Sequence, residues 1–142
     1  VLTLAGTDAS ARGPEAGDGV EDALASAAQL VRNHGCVVAI SGPVDHIIDA
    51  DRHVTVSSGH EWMTRVTGVG CSLGALTAAF AGIQNDHLIA AVSATAMLCV
   101  AAERAAERSA GPGAFAQALV DELFLVSPDE VGERGGLRDV TA

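Results

Sequence analysis

Residues 66–75 read VTGVGCSLGA, with Gly68, Gly70, Gly74 and Cys71 crowded where a polar, strand-like stretch gives way to an alanine-rich one. Backbone N–H groups at a helix start have no intrahelical partner, and with the helix dipole they form an anion site. Glycines let a ligand approach the backbone with no Cβ in the way. Thr67-Gly68-Val69-Gly70-Cys71 is therefore a candidate phosphate cradle. The same glycines also suit a tight strand-to-helix turn, and the pattern leaves both readings open. A helix start favours the thiolate of a first-turn cysteine, which could orient a substrate hydroxyl. A small buried core cysteine is the plainer alternative for Cys71.

A second candidate is Ser41-Gly42, which ends the apolar run CVVAI at 36–40. In open α/β sheets ligands gather beyond the carboxyl ends of strands, so a hydroxyl there could meet a nucleotide phosphate; it could equally mark a turn. Two familiar phosphate motifs fail. The chain has no lysine for a P-loop, and Gly74 falls one residue late for G-x-G-x-x-G, with Leu73 in its place.

The elements that would position these residues follow from periodicity. Glu21–Arg32 has helical spacing and ends near Gly35. Cys36–Ile40 reads as a strand buried on both faces, and Cys36 and Cys99 as core cysteines. DHIID and HVTVS flank ADR as a hairpin of half-exposed strands. Helices are expected over Cys71–Gly82, over Asp86–Arg108 with Asp86 as N-cap, and over Gly113–Val126 with Pro112 at its first turn. Val1–Ala5 reads as a helix end and residues 7–19 as a loop. The histidines show no ligand-pair spacing and read as surface or structural. Asp8, Asp18, Asp49 and Asp51 read as solvated loop acids.

Composition narrows the function classes. A chain of 142 residues with 49% hydrophobic and 18% charged residues is globular and fits one domain. A net charge of −10 leaves no basic footprint for nucleic acid or an anionic membrane. It does not disfavour ATP, which needs only local donors and a metal. An odd count of three cysteines without C-x-x-C suits a reduced, cytoplasmic setting. The apolar run at Ile89–Ala102 reads as too short and too polar-flanked to span a membrane.

Together, VVAISGPVDHIID, GHEWMTRVTGVGCSLGALTAAFAG and GPGAFAQALVDEL resemble the C-terminal half of the hydroxyethylthiazole kinase family, within the ribokinase-like superfamily. The resemblance covers residues 1–126, leaving 127–142 as a polar tail, surface-lying or disordered. It implies an α/β fold with a central, largely parallel sheet flanked by helices. It implies a homotrimeric, magnesium-dependent kinase that moves phosphate from ATP to the hydroxyl of 4-methyl-5-(2-hydroxyethyl)thiazole. Carried over by position, Ser41 and Gly70 would contact ATP and Gly68 the thiazole. Cys71 would be catalytic, where most ribokinase-like enzymes carry aspartate. Gly68, Val69, Gly70 and Cys71 would form the anion hole. Val69 departs from the family's usual threonine. The family's N-x-x-E motif, which organises magnesium, has no counterpart here, so this stretch holds half a site and no metal ligands of its own. A non-catalytic truncated or assembly fragment, or a related ribokinase-like vitamin kinase, are the alternatives.

Overall fold

The computed structural model describes residues 20–141, so the readings for Val1–Ala5 and for 7–19 lie outside the described residues. Helix α1 (Val20–His34) leads to strand β1 (Val38–Ile40) and the β2–β3 hairpin (Asp45–Ile48, His53–Val56). A short 3-10 helix at Glu61–Arg65 precedes α2 (Val69–Ala81), α3 (His87–Glu107), α4 (Pro112–Leu125), α5 (Pro128–Arg134) and β4 (Leu137–Asp139).

The sheet order is β1-β2-β3-β4, and each neighbouring pair is antiparallel. The α/β expectation holds, but the largely parallel sheet is not what the described residues form. For β1–β2 and β2–β3 the reason is connection length: 41–44 and 49–52 are too short for the crossover that parallel strands need. β1 also departs from the doubly buried strand expected of CVVAI. It lies at a sheet edge with Val38 and Ile40 half-buried and Ala39 exposed, and Cys36 is exposed too.

Strand alternation decides what faces the core. Ile47 pairs with Val54, Asp45 with Val56, and Val56 with Leu137's strand, so Asp45, Ile47, Val54 and Val56 share one face. Ile47 and Val56 are fully buried there against Leu88, Ala91, Val92, Ala96 and Cys99 of α3. On the other face Ile48 and Thr55 are also buried, and α1 lies along β1 and β2.

Helix α3 is the spine of the molecule. Asp86 caps it as expected, accepting from the N–H groups of Leu88 and Ile89 at 3.0 and 3.1 Å. It is long and apolar enough to cross a membrane, which the sequence reading of Ile89–Ala102 did not anticipate. However, 72% of its apolar window is buried within the fold, as befits a core helix. Its second half meets α2 and α4 in a separate cluster where Leu98, Ala101, Ala102 and Ala105 pack on Val69, Phe115 and Leu119. The small alanines let the neighbouring helices approach.

The C-terminal segment is at the surface, as expected, but it is ordered. Ser127 and Glu130 form a reciprocal capping box that starts α5. β4 then pairs with β3, and Ser57 donates through its N–H and hydroxyl to the Gly136 carbonyl at 3.3 and 3.0 Å.

Candidate functional site

Helix α2 begins where the glycine pattern predicts, two residues earlier than the expected Cys71. Gly68 is its N-cap with φ +99°, a left-handed conformation that L side chains rarely adopt. No side chain caps the helix; the first backbone bond is from the Ser72 N–H to the Gly68 carbonyl at 2.8 Å. The N–H groups of Val69, Gly70 and Cys71 thus stand ahead of the first helical bond. Val69 turns its side chain into the core, while Gly70 and Cys71 are exposed. Cys71 is therefore not the buried core cysteine that was its plainer alternative. A Cβ built on Gly70 would meet nothing within 4 Å. Packing among the described residues does not demand glycine there.

Ser41 follows the last residue of β1 and is exposed. The turn after it is tight. A Cβ on Gly42 would sit 3.3 Å from the Val44 carbonyl, and the Gly42 N–H donates to Asp45 Oδ1 at 3.0 Å. No hydrogen bond among the described residues joins Ser41 to the α2 start. Each is instead referenced separately to helix α3. The Cys99 thiol reaches Asp45 Oδ2 at 3.6 Å, and Val69 packs on the cluster that holds Ala102 and Ala105.

Two supporting residues, Asp45 and Glu103, were not singled out in the sequence. Asp45 was legible in principle: alternation places it on the core face beside Ile47, where an acid needs partners. Burial pushes its carboxyl above the ordinary value, against the pull of the Gly42 N–H and the Cys99 thiol. Burial first, and then the Asp45 charge, push the Cys99 thiol up to about 12. Glu103, one turn beyond Cys99, accepts the Gly59 N–H at 3.1 Å and so fixes the segment leading into the glycine turn. His60 caps the 3-10 helix, accepting the Trp62 N–H at 3.2 Å, and its ring lies 4.9 Å from Trp62. Its structural reading holds. His46 and His53 form a cross-strand pair, Nδ1 to Nε2 at 2.9 Å.

The opposite end of the sheet differs. Asp49, read as a solvated loop acid, instead accepts from the Arg52 guanidinium at 2.5 Å, and Arg52 also grips Asp86 at 2.7 Å. A cavity of about 450 Å³ lies there, lined by Cys36, Asp49, Arg52 and Asp86 among others. It is at the start of α3, away from Ser41 and Cys71. Its one arginine is already paired to two carboxylates. Among the described residues no group of three or more His, Cys, Asp or Glu side chains could hold a metal ion.

The model of the hydroxyethylthiazole kinase family matches residues 1–129. Hydroxyethylthiazole kinase of Cutibacterium acnes is 94% identical over 142 residues, covering 100% of this chain and 51% of that protein. That of Clavibacter sepedonicus is 49% identical over 133 residues, 94% of this chain and 48% of that one. The solved hydroxyethylthiazole kinase structure from Pyrococcus horikoshii OT3 superposes with a TM-score of 0.80 at 35% identity, over 86% of this chain and 48% of that one. The chain spans about half the length of the curated relatives it matches. An uncapped glycine turn at the head of α2, on a fold shared with a solved member and matched by the family model over most of its length, places the chain in the hydroxyethylthiazole kinase family.

Proposed function

We propose that this chain forms the phosphate-handling part of a kinase that phosphorylates the hydroxyl of 4-methyl-5-(2-hydroxyethyl)thiazole with ATP. The observation that carries the reading is the α2 start, where three consecutive N–H groups stand free behind a left-handed Gly68. Aimed at a transferring phosphoryl group, such donors meet the charge that spreads over its equatorial oxygens. Gly70, with open space where a Cβ would be, lets those oxygens come close to the backbone. Ser41 offers its hydroxyl to the nucleotide from the turn after β1, and Gly68 borders the thiazole. The exposed Cys71 faces the attacking hydroxyl and orients it. A loose transition state asks for little base strength early, so position matters more than proton affinity. Val69 contributes its backbone donor but no hydroxyl. Magnesium ligands and most of the thiazole pocket belong to other parts of a full-length, trimeric, cytoplasmic enzyme.

The test is turnover by the complete gene product with ATP, magnesium and the thiazole alcohol, read as ADP release and as a phosphate ester by 31P NMR. Phosphorylation of the thiazole alcohol in preference to pyridoxal is expected. Preference for pyridoxal, or ATP binding without transfer to the thiazole, would overturn the substrate assignment.

A further inference from the structure

Asp45 is an acid on the core face of β2, next to fully buried Ile47. A half-buried position that needed only volume would hold an apolar side chain, since a carboxylate there must recover its lost hydration through hydrogen bonds. Both of its oxygens are engaged. Oδ1 accepts the Gly42 N–H at 3.0 Å, and Oδ2 accepts the Cys99 thiol at 3.6 Å. One partner is the turn that carries Ser41; the other is a residue of α3 that is only 3% exposed. Among the described residues the turn has few other restraints. Among the described residues Ser41 and Gly42 are exposed, and the strand before them has a neighbour on one side only. Glu103 acts likewise one turn along the same helix, holding the Gly59 N–H at 3.1 Å on the way to the glycine turn. Helix α3 thus fixes both site segments through polar contacts from adjacent turns.

We infer that Asp45 is a positioning residue for the nucleotide: clamped by the Cys99 thiol, its carboxylate holds the Gly42 amide and so sets where the Ser41 hydroxyl points. This rests on the proposed role of Ser41 at ATP. It assigns Asp45 no contact with any substrate. Its loss should therefore weaken ATP and spare the thiazole alcohol, whereas a general loss of packing would affect both.

The test compares Asp45→Ala, Asp45→Asn and Cys99→Ala in the complete gene product. Asp45→Ala should raise the KM for ATP about tenfold, the worth of one hydrogen bond to a charged group, with the KM for the thiazole alcohol unchanged. Asp45→Asn keeps an acceptor for the Gly42 N–H and should restore most of the loss. Exchange of the Gly42 amide with solvent should quicken in Asp45→Ala and stay slow in Asp45→Asn. Equal rises in both KM values, or an unchanged KM for ATP, would overturn the proposal. If Asp45→Ala does not yield soluble protein, Cys99→Ala carries the test, with a rise of about threefold in the KM for ATP expected and none refuting it. If the wild type binds ATP but does not phosphorylate the thiazole, only the substrate reading falls, and titration with ATP alone compares the variants. If the wild type binds no ATP, the clamp has no nucleotide to serve and is refuted with Ser41's role.

Discussion

Arg104 of α3 donates through Nε to Glu122 of α4 at 2.5 Å, and Glu122 is only 1% exposed. Arg108 reaches the other oxygen of the same carboxylate, and Arg104 extends on to Glu130 in the capping box of α5. Glu122 ties α4 to two arginines of α3, and Arg104 carries the network on to α5; despite burial, the two guanidinium groups hold the Glu122 carboxyl below its ordinary value. Removing it leaves Arg104 facing a cavity. Glu122→Ala should cost about 2–4 kcal/mol in chemical denaturation. Arg108→Ala should cost much less, because Arg108 is 64% exposed. Equal effects of the two would refute the network's dependence on Glu122.

The Arg52–Asp86 pair at the start of α3 makes stability depend on acid. Arg52 holds the Asp86 carboxyl down from 3.8 to about 2, with the capped N–H groups helping. The folded state binds this proton less readily than the unfolded one. Its contribution is present in full above about pH 4 and is lost as the pH falls through about 2. Asp86→Asn keeps an N-cap acceptor but cannot titrate. Urea midpoints of that variant should fall less steeply across the same window than those of the wild type. Parallel slopes would show that Asp86 contributes nothing there.

Gly70 sets stability against activity. It sits in a helix with nothing within 4 Å of a built Cβ, where alanine favours the helix by about 0.5–1 kcal/mol. Gly70→Ala should raise the melting temperature slightly while lowering kcat/KM in the complete enzyme by a factor of ten or more, taken as one blocked donor contact, on the order of 1.4 kcal/mol. Unchanged activity would mean that no phosphate approaches this backbone.

Cys71→Asp tests what the thiol does. If Cys71 chiefly orients the substrate hydroxyl, an aspartate there should keep kcat within about tenfold of the wild type. A loss on the order of a thousandfold, the size seen when a key transition-state group goes, would assign the thiol a more specific part.

What the sequence showed and what it hid follow from the range of the interactions. The β2–β3 hairpin came from alternation around a short turn, α3 from its spacing and its Asp86 cap, and α2 from glycines before alanines. All of these are local. Strand β4 was hidden because Leu-Arg-Asp has no apolar run, and it becomes a strand only by pairing with β3, some eighty positions earlier in the chain. Antiparallel order was hidden for a related reason. CVVAI has the composition of a central strand, and among the described residues it pairs on one side only. In the site, the glycine turn was legible because φ +99° nearly demands glycine. Alternation could place Asp45 on the core face, but the partners of Asp45 and Glu103 were hidden, because periodicity does not show which acid finds a partner across the fold.

The edge position of β1 also bears on how the site can be completed. β1 pairs with β2 on one side, and Ser41 follows directly from its end. The geometry of that turn is fixed from behind, through Asp45 and α3, rather than from the open side. A strand laid against β1 would therefore meet a turn whose shape is already set by contacts within this chain. The described half thus acts as a template, and whatever pairs with its open edge must conform to it.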